Sequence, residues 1–418
     1  MWEAFGNAWR IKELRQRILF TLAMLVVFRL GSHVPVPGIN PQVLADFFQE
    51  DTLFGFYNVI AGGALSNFTI FAMGIMPYIN ASIIMQLLTV VIPKFKEWNE
   101  EGVEGRKRMM QIVRYGTVGL AFLQATGMTL TIMKPAVTEP GFQSYAVIII
   151  SLTAGTAFLM WLGELITEKG IGNGISLIIF GGIIARVPAG VSKTIELLWL
   201  GEMSFIVLIP LILVLLFLIV AILALEIGRR RIPVQYAKRV VGRRVYGGQS
   251  SHIPLKINQA GVIPVIFASA ILMFPATIAA LIQHPFAARV AEALKFGSIL
   301  NTILYTLFII FFTFFYTAIQ FDPMKVAGDI KKFGGFIPGF RPGRPTAEYL
   351  RKISTRLTFV GAFSLAFIAV LPILLQNISR VNLVFSGTAL IIVVGVALET
   401  MRQIESQMLM RNYQGFMK

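Results

Sequence analysis

The sequence predicts an all-α membrane protein that crosses the bilayer many times, and three observations predict it. Of its 418 residues 56% are hydrophobic, and the mean hydropathy of +0.73 sets a soluble fold aside. Ten apolar runs are long enough, or nearly so, to cross about 30 Å of hydrocarbon. Lysine and arginine are crowded into alternate loops, as the cytoplasmic bias of positive charge requires. With no cysteine in the chain, neither disulfides nor thiolate metal sites enter the reading.

In chain order the runs fall at Ile18–Leu30, Phe68–Ile92, Tyr115–Met133, Tyr145–Ile166 and Ile171–Ala185. Five more follow at Phe205–Ile227, Ala260–Ile282, Ile299–Phe321, Leu357–Leu375 and Leu383–Leu398. The fifth is short and glycine-rich and the tenth is marginal, so nine or eleven spans also fit. No small-residue cleavage site follows the first run, which is expected to remain as a span. Between the first two runs lies an excursion from His33 to Ser66. Its last part, Thr52–Asn67, is too short to cross and too apolar for solvent. That leaves a half-helix folded back into the protein, or an amphipathic helix on its surface.

The second run follows the paired glycines Gly62 and Gly63 and carries Gly74 and Pro77 inside its apolar stretch. A helix that only anchored the chain would avoid both, since proline removes a backbone donor and clashes with the preceding turn. Irregular backbone at membrane depth needs cover from protein or water, so this segment is expected to line something. The same G-x-x-P spacing recurs at Gly261-Val-Ile-Pro264 ahead of the seventh run. Broken segments at matching places are what inverted repeats produce, although four residues also match by chance.

Ten runs place both termini on one side. Thirty lysines and arginines lie on the side of the termini, six lie in the opposite loops, and Arg29 sits inside the first run. Both termini are therefore predicted to be cytoplasmic, and most of the +16 net charge is topology rather than nucleic-acid affinity. Two cytoplasmic loops, residues 226–256 and 322–356, exceed what topology needs. In the first, the β-prone runs Ile232–Tyr236 and Val245–Tyr246 flank Val240-Val-Gly242, which predicts a protruding hairpin. In the second, glycines and prolines shape the loop, with Arg341 and Arg344 at its turns. Long loops in a compact protein are commonly functional or disordered. A basic surface against anionic lipid is one reading; hydrophobic residues among the charges favour a protein or ribonucleoprotein partner.

What is missing narrows the chemistry. His33, His252 and His284 lie in loops or at span ends, and no run carries Asp or Glu at its centre, Glu164 and Glu226 being at cytoplasmic ends. Ion-coupled transporters usually hold an ionisable group within the membrane. No protease site at depth and no phosphate-cradling glycine loop with a lysine is present. No enzyme activity, cofactor or metal is expected. The spans do contain neutral polarity in Asn80, Gln124 and Asn258, which serve as ordinary helix glue or as a contact weak enough to open. Ile75 and Ile79 share a helical face, as do Ile175 and Ile179; lipid or core packing is the usual reading, and a ring that gates by dewetting is the other. The chain thus reads as a passive conduit that takes its energy from partners, with a secondary transporter and an insertase or assembly scaffold without a through-pore as alternatives.

With these residues in view, the chain closely resembles the SecY family, the large subunits of bacterial Sec protein-translocation channels. The resemblance is carried by FRLGSHVPVPG (Phe28–Gly38), GGALSNFTIFAMGIMPYINASIIMQLLTVV (Gly62–Val91), EGRKR (Glu104–Arg108) and MWLGELITEKGIGNGISLIIF (Met160–Phe180). It continues through RRIPVQYAKR (Arg230–Arg239), QAGVIPVIFASAILMFPATIA (Gln259–Ala279) and GFIPGFRPG (Gly335–Gly343), in family order over most of the chain. The loop between the seventh and eighth runs and the short tail are the poorest guides.

The resemblance implies ten helices in two pseudo-symmetric inverted five-helix halves, residues 1–190 and 191–418, around a central hourglass pore. It implies a plug at about residues 56–67, including Phe56, Gly62, Gly63, Leu65 and Asn67, and a pore ring of Ile75, Ile79, Ile175, Ile179, Ile266 and Ile392. Helices two, three, seven and eight would form a lateral gate in which Asn80, Gln124 and Asn258 make a polar cluster. Some relatives carry serine or threonine at the position of Asn80. Arg239, Arg243, Arg244, Arg341 and Arg344 would dock the motor ATPase SecA or the ribosome. SecE-like and SecG-like small subunits, signal sequences, unfolded polypeptides and membrane lipid are implied as partners, with no specific nucleic-acid site. The place implied is the bacterial cytoplasmic membrane.

Overall fold

In a bilayer the backbone must satisfy its own hydrogen bonds, and the apolar runs do so as helices. The computed structural model describes residues 9, 11–40, 63–65, 68–131, 133–201, 205–236, 239–241, 244–246, 250–281, 289–290, 292–294, 297–379 and 387–415. Its helices are α1 (Lys12–Gly31), α2 (Met76–Val91), α3 (Pro93–Glu100), α4 (Val103–Thr131), α5 (Phe142–Lys169) and α6 (Gly174–Trp199). They continue with α7 (Phe205–Ile227), α8 (Ile263–Leu281), α9 (Ile299–Gln320), α10 (Pro323–Lys332), α11 (Arg344–Ser379) and α12 (Gly387–Gly415).

Every one of the ten apolar runs is occupied by a helix, but among the described residues only six helices are long and apolar enough to cross alone, or seven if α2 and α3 count as one broken span. The shortfall has physical causes. Arg15, Arg17 and Arg29 interrupt the apolar length of α1, and glycines and threonines dilute that of α4.

The chain forms two compact units: residues 1–207, 269–302 and 392–418 make one, and residues 208–268 and 303–391 the other. In the first unit, Pro77 starts a helix instead of kinking one. Residues 68–75 run through turns, Gly74 takes a φ of 54°, and α2 begins only at Met76. Proline in the first helical turn costs nothing, because its missing N–H would have had no partner there. The irregular stretch is covered by protein, with Phe68, Phe71, Ala72 and Met73 almost wholly buried. Its backbone is satisfied locally: Thr69 N donates to Ala64 O, Ile70 N to Val34 O, and Val36 N to Phe68 O. α5 reaches it at Gly155, where a Cβ would collide with the carbonyl of Ile70. At its far end α2 stops at Ile92, whose extended backbone suits a residue before proline, and the chain turns by 102° into α3.

In the second unit the two long basic loops form one folded module. β1 (Arg229–Tyr236) pairs antiparallel with β4 (Ser250–Lys256), and β2 (Arg239–Val241) pairs with β3 (Arg244–Tyr246) in the same continuing register. The expected hairpin is present, but Ile232–Tyr236 pairs with β4, not with Val245–Tyr246. β5 (Gly335–Phe336), from the second loop, joins the other edge of β1 through Gln235 and Tyr236. Ile232, Val234, Leu255, Ile330, Ile337, Leu350 and Ile353 bury together beneath the strands. The alternation of buried and exposed residues along β1 follows from a sheet with one covered face.

Candidate functional site

All six isoleucines of the expected ring stand at the start of a helix. Ile75 is the N-cap of α2 and Ile79 lies one turn on, both buried. Ile175 and Ile179 occupy the first two turns of α6, half-buried and buried respectively. Ile392, buried, lies near the start of α12, and half-buried Ile266 near the start of α8. At such positions the cap and the preceding turn set where a side chain sits. Asn173 caps α6 by accepting from Ile175 N at 3.1 Å and Ser176 N at 3.3 Å. The first unit holds five of the six, and Ile266 belongs to the second.

The two G-x-x-P sequences have the same local construction. Gly74 has a φ of 54° and Gly261 a φ of 64°, values glycine adopts without strain. In each case the helix begins two residues later with proline as its second residue.

Of the expected plug, Phe56, Gly62 and Asn67 lie outside the described residues. Gly63 has a φ of 86°. Leu65 is a core residue, fully buried with Phe68, Met73, Met128, Met133 and Ile148. Next to it, Ala64 O accepts from both the amide and the hydroxyl of Thr69, at 3.0 and 3.2 Å. The described part of the expected plug segment, residues 63–65, is thus fastened into the first unit.

Asn80 and Gln124 are half-buried in α2 and α4. Asn258 is 1% exposed, and its Nδ2 donates to Glu226 Oε1 at 2.6 Å and to Gly261 O at 3.0 Å, while Oδ1 has no hydrogen-bond partner among the described residues. Sequence reasoning missed Glu226, which looked like a residue at a span end. Its only signal was that an acid followed by a basic loop returns to an asparagine. α4 and α5 are tied by Arg114 and Glu164, through contacts of 2.9 and 2.8 Å.

Arg341 is exposed between a turn and a helix that both hold it from the backbone side. Phe340 N donates to Ile337 O at 3.0 Å across Pro338 and Gly339, whose φ of 86° makes this a type II turn. Thr346 Oγ1 then donates to Arg341 O at 2.8 Å. Phe340 stacks on Tyr349 with ring centroids 4.0 Å apart. Arg344 opens α11 and pairs with Glu348 at 3.5 Å, an exposed contact worth little by itself. Arg239 opens β2 and Arg244 opens β3, and Arg243 lies outside the described residues.

A family model, SecY, matches residues 69–401. The chain is 49% identical over 431 residues to the protein translocase subunit SecY of Halalkalibacterium halodurans, covering 100% of both chains. This chain belongs to the SecY family. It is also 47% identical over 418 residues to the SecY subunit of Escherichia coli K12, covering 97% of this chain and 94% of that one. A solved structure described as "The structure of a protein conducting channel" aligns with a TM-score of 0.67 at 19% identity, over 94% of this chain and 92% of that one. Sec61 in the canine ribosome-channel complex aligns with a TM-score of 0.64 at 18% identity, over the same shares. As a SecY translocase subunit, the chain is a multi-pass protein of the bacterial membrane, and its role is that of a protein-conducting channel.

Proposed function

We propose that this SecY subunit passes unfolded secretory proteins across the bacterial cytoplasmic membrane and releases transmembrane segments into it, driven by SecA or the ribosome. The observation that carries this reading is the folded basic module made by both long loops, which presents Arg341 on a rigid turn. A channel powered from outside needs such a docking surface. A solute transporter would instead bury an ionisable residue at mid-membrane. That one neighbour is a ribosome-bound channel supports the same docking here.

In this reading residues 1–190 and 191–418 are two inverted halves, supported by the shared construction at Gly74–Pro77 and Gly261–Pro264. Ten spans and cytoplasmic termini are supported by the thirty-to-six charge split. The isoleucines form an apolar ring that offers a sliding chain no fixed hydrogen bonds, so any sequence passes. The plug at about residues 56–67 and the ring together seal the channel at rest, so that loss of either gives a leak, and Asn80, Gln124 and Asn258 hold a lateral gate. Small SecE-like and SecG-like subunits complete the complex. The testing experiment reconstitutes the protein with SecA and a preprotein and scores ATP-dependent protection of the preprotein from protease. Protection independent of this subunit would refute the reading.

A further inference from the structure

The turn at residues 170–174, between α5 and α6, is held by side chains from both ends of the chain. The Thr21 hydroxyl, on α1, accepts from Ile171 N at 3.0 Å and donates to Arg17 O at 2.9 Å. Gln403 Oε1, on α12, accepts from Gly172 N at 2.9 Å. The Thr167 hydroxyl accepts from Gly174 N at 2.8 Å, and Gly170 N donates to Ile166 O at 2.8 Å. Ile171 is buried among Leu14 and Ile18 of α1 and Ile404 of α12. Gly172, at a φ of 86°, has no room for a side chain: a Cβ would meet Leu177 at 2.9 Å and Thr400 Oγ1 at 3.1 Å. Gly174 sits against the carbonyl of Gly163, so α5 and α6 touch backbone to backbone.

Helix α6 starts at this turn, and Ile175 and Ile179 fall in its first two turns. Gln403 lies three turns beyond Ile392, about 16 Å along α12 at 1.5 Å per residue. A slip of α12 by one residue would move Ile392 about 1.5 Å along the axis and swing it about 100° around it. We propose that Gln403 and Thr21 are positioning residues for the pore ring: by accepting from the turn's amides they lock α12 and α1 to the start of α6, holding Ile392 in register with Ile175 and Ile179. This rests on the ring reading above.

The test compares variants that remove an acceptor with variants that keep one, reading resting ion conductance in planar bilayers without SecA. Gln403→Leu and Thr21→Val should each raise the leak about tenfold, the equivalent of about 1.4 kcal/mol. Gln403→Glu and Thr21→Ser, which retain the acceptor oxygen, should stay near the parent. A third arm, Ile175→Gly with Ile179→Gly, reports on the ring itself. If the isoleucine variant leaks while Gln403→Leu and Thr21→Val stay tight, the positioning role is refuted and the ring stands. A leak equal in Gln403→Leu and Gln403→Glu refutes it too. A tight isoleucine variant overturns the ring and the proposal together. Should Gln403→Leu fail to insert, the Thr21 pair decides alone.

Discussion

Replacing Asn258 tests whether one amide organises the junction between α7 and α8. Asn258→Ala removes a hydrogen bond to the Glu226 carboxylate at 2.6 Å and another to Gly261 O at 3.0 Å. The charge-assisted bond is worth about 1.5–3 kcal/mol and the neutral one about 0.5–1.5 kcal/mol. Glu226 is 8% exposed, so water replaces little of the loss. Removing Oδ1, unpartnered among the described residues, relieves about 1 kcal/mol of desolvation, which leaves a net cost of about 1–3.5 kcal/mol. Asn258→Asp should cost more, because it sets a second carboxylate oxygen against Glu226 and the Gly261 carbonyl. Glu226→Gln keeps an acceptor and should cost less than Asn258→Ala. Denaturant titration of the purified protein in detergent, followed by circular dichroism, gives the order. Asn258→Ala within about 0.5 kcal/mol of the parent, or Asp tolerated as well as Ala, would show that the junction is organised otherwise.

Three further outcomes are expected. Arg341→Glu should abolish SecA-driven translocation with a stability cost within about 0.5 kcal/mol, since the side chain is exposed and its backbone is held independently; normal transport rates would remove Arg341 from the docking surface. Single cysteines, introduced into a chain that has none, should label from the cytoplasm at Gly242→Cys and Gly343→Cys and from outside at Asp46→Cys. Labelling of Asp46→Cys and Gly343→Cys from the same side breaks the ten-span topology. Deleting residues 56–67 together with Ile75→Gly and Ile179→Gly should give steady ion conductance without SecA. The exposed Leu213→Gly control should stay tight, and equal conductance in both would end the ring-and-plug assignment.

Much of this was legible because hydropathy and charge act over long stretches. The ten runs and the hairpin at Ile232 came from periodicity and composition, and the interrupted second segment came from Gly74 and Pro77. What stayed hidden were pairings between distant residues. Nothing local marks Gln403 as the acceptor for Gly172, because a glutamine on a helix serves equally well in solvent. Nor does the dipeptide Gly335-Phe336 announce a strand; it becomes one only where β1 offers an edge. In the sequence Pro77 reads as a break, whereas in the structure it starts a helix, since sequence gives the residue but not which side of it the helix occupies.

The union of β1 with β5 has a consequence for how the protein is made. Gln235 pairs with Phe336, and the apolar helices α8 and α9 lie between them in the chain. At about 5–20 residues synthesised per second, β1 waits several seconds for its third strand. The buried face under the sheet waits as well, because Ile330, Ile337, Leu350 and Ile353 emerge last. A nascent subunit therefore has a bare, basic hairpin until both intervening helices have been delivered to the membrane. The surface that presents Arg341 comes into being only after Ile353 has been made, so on the docking reading proposed above shorter nascent copies would not compete with finished ones there.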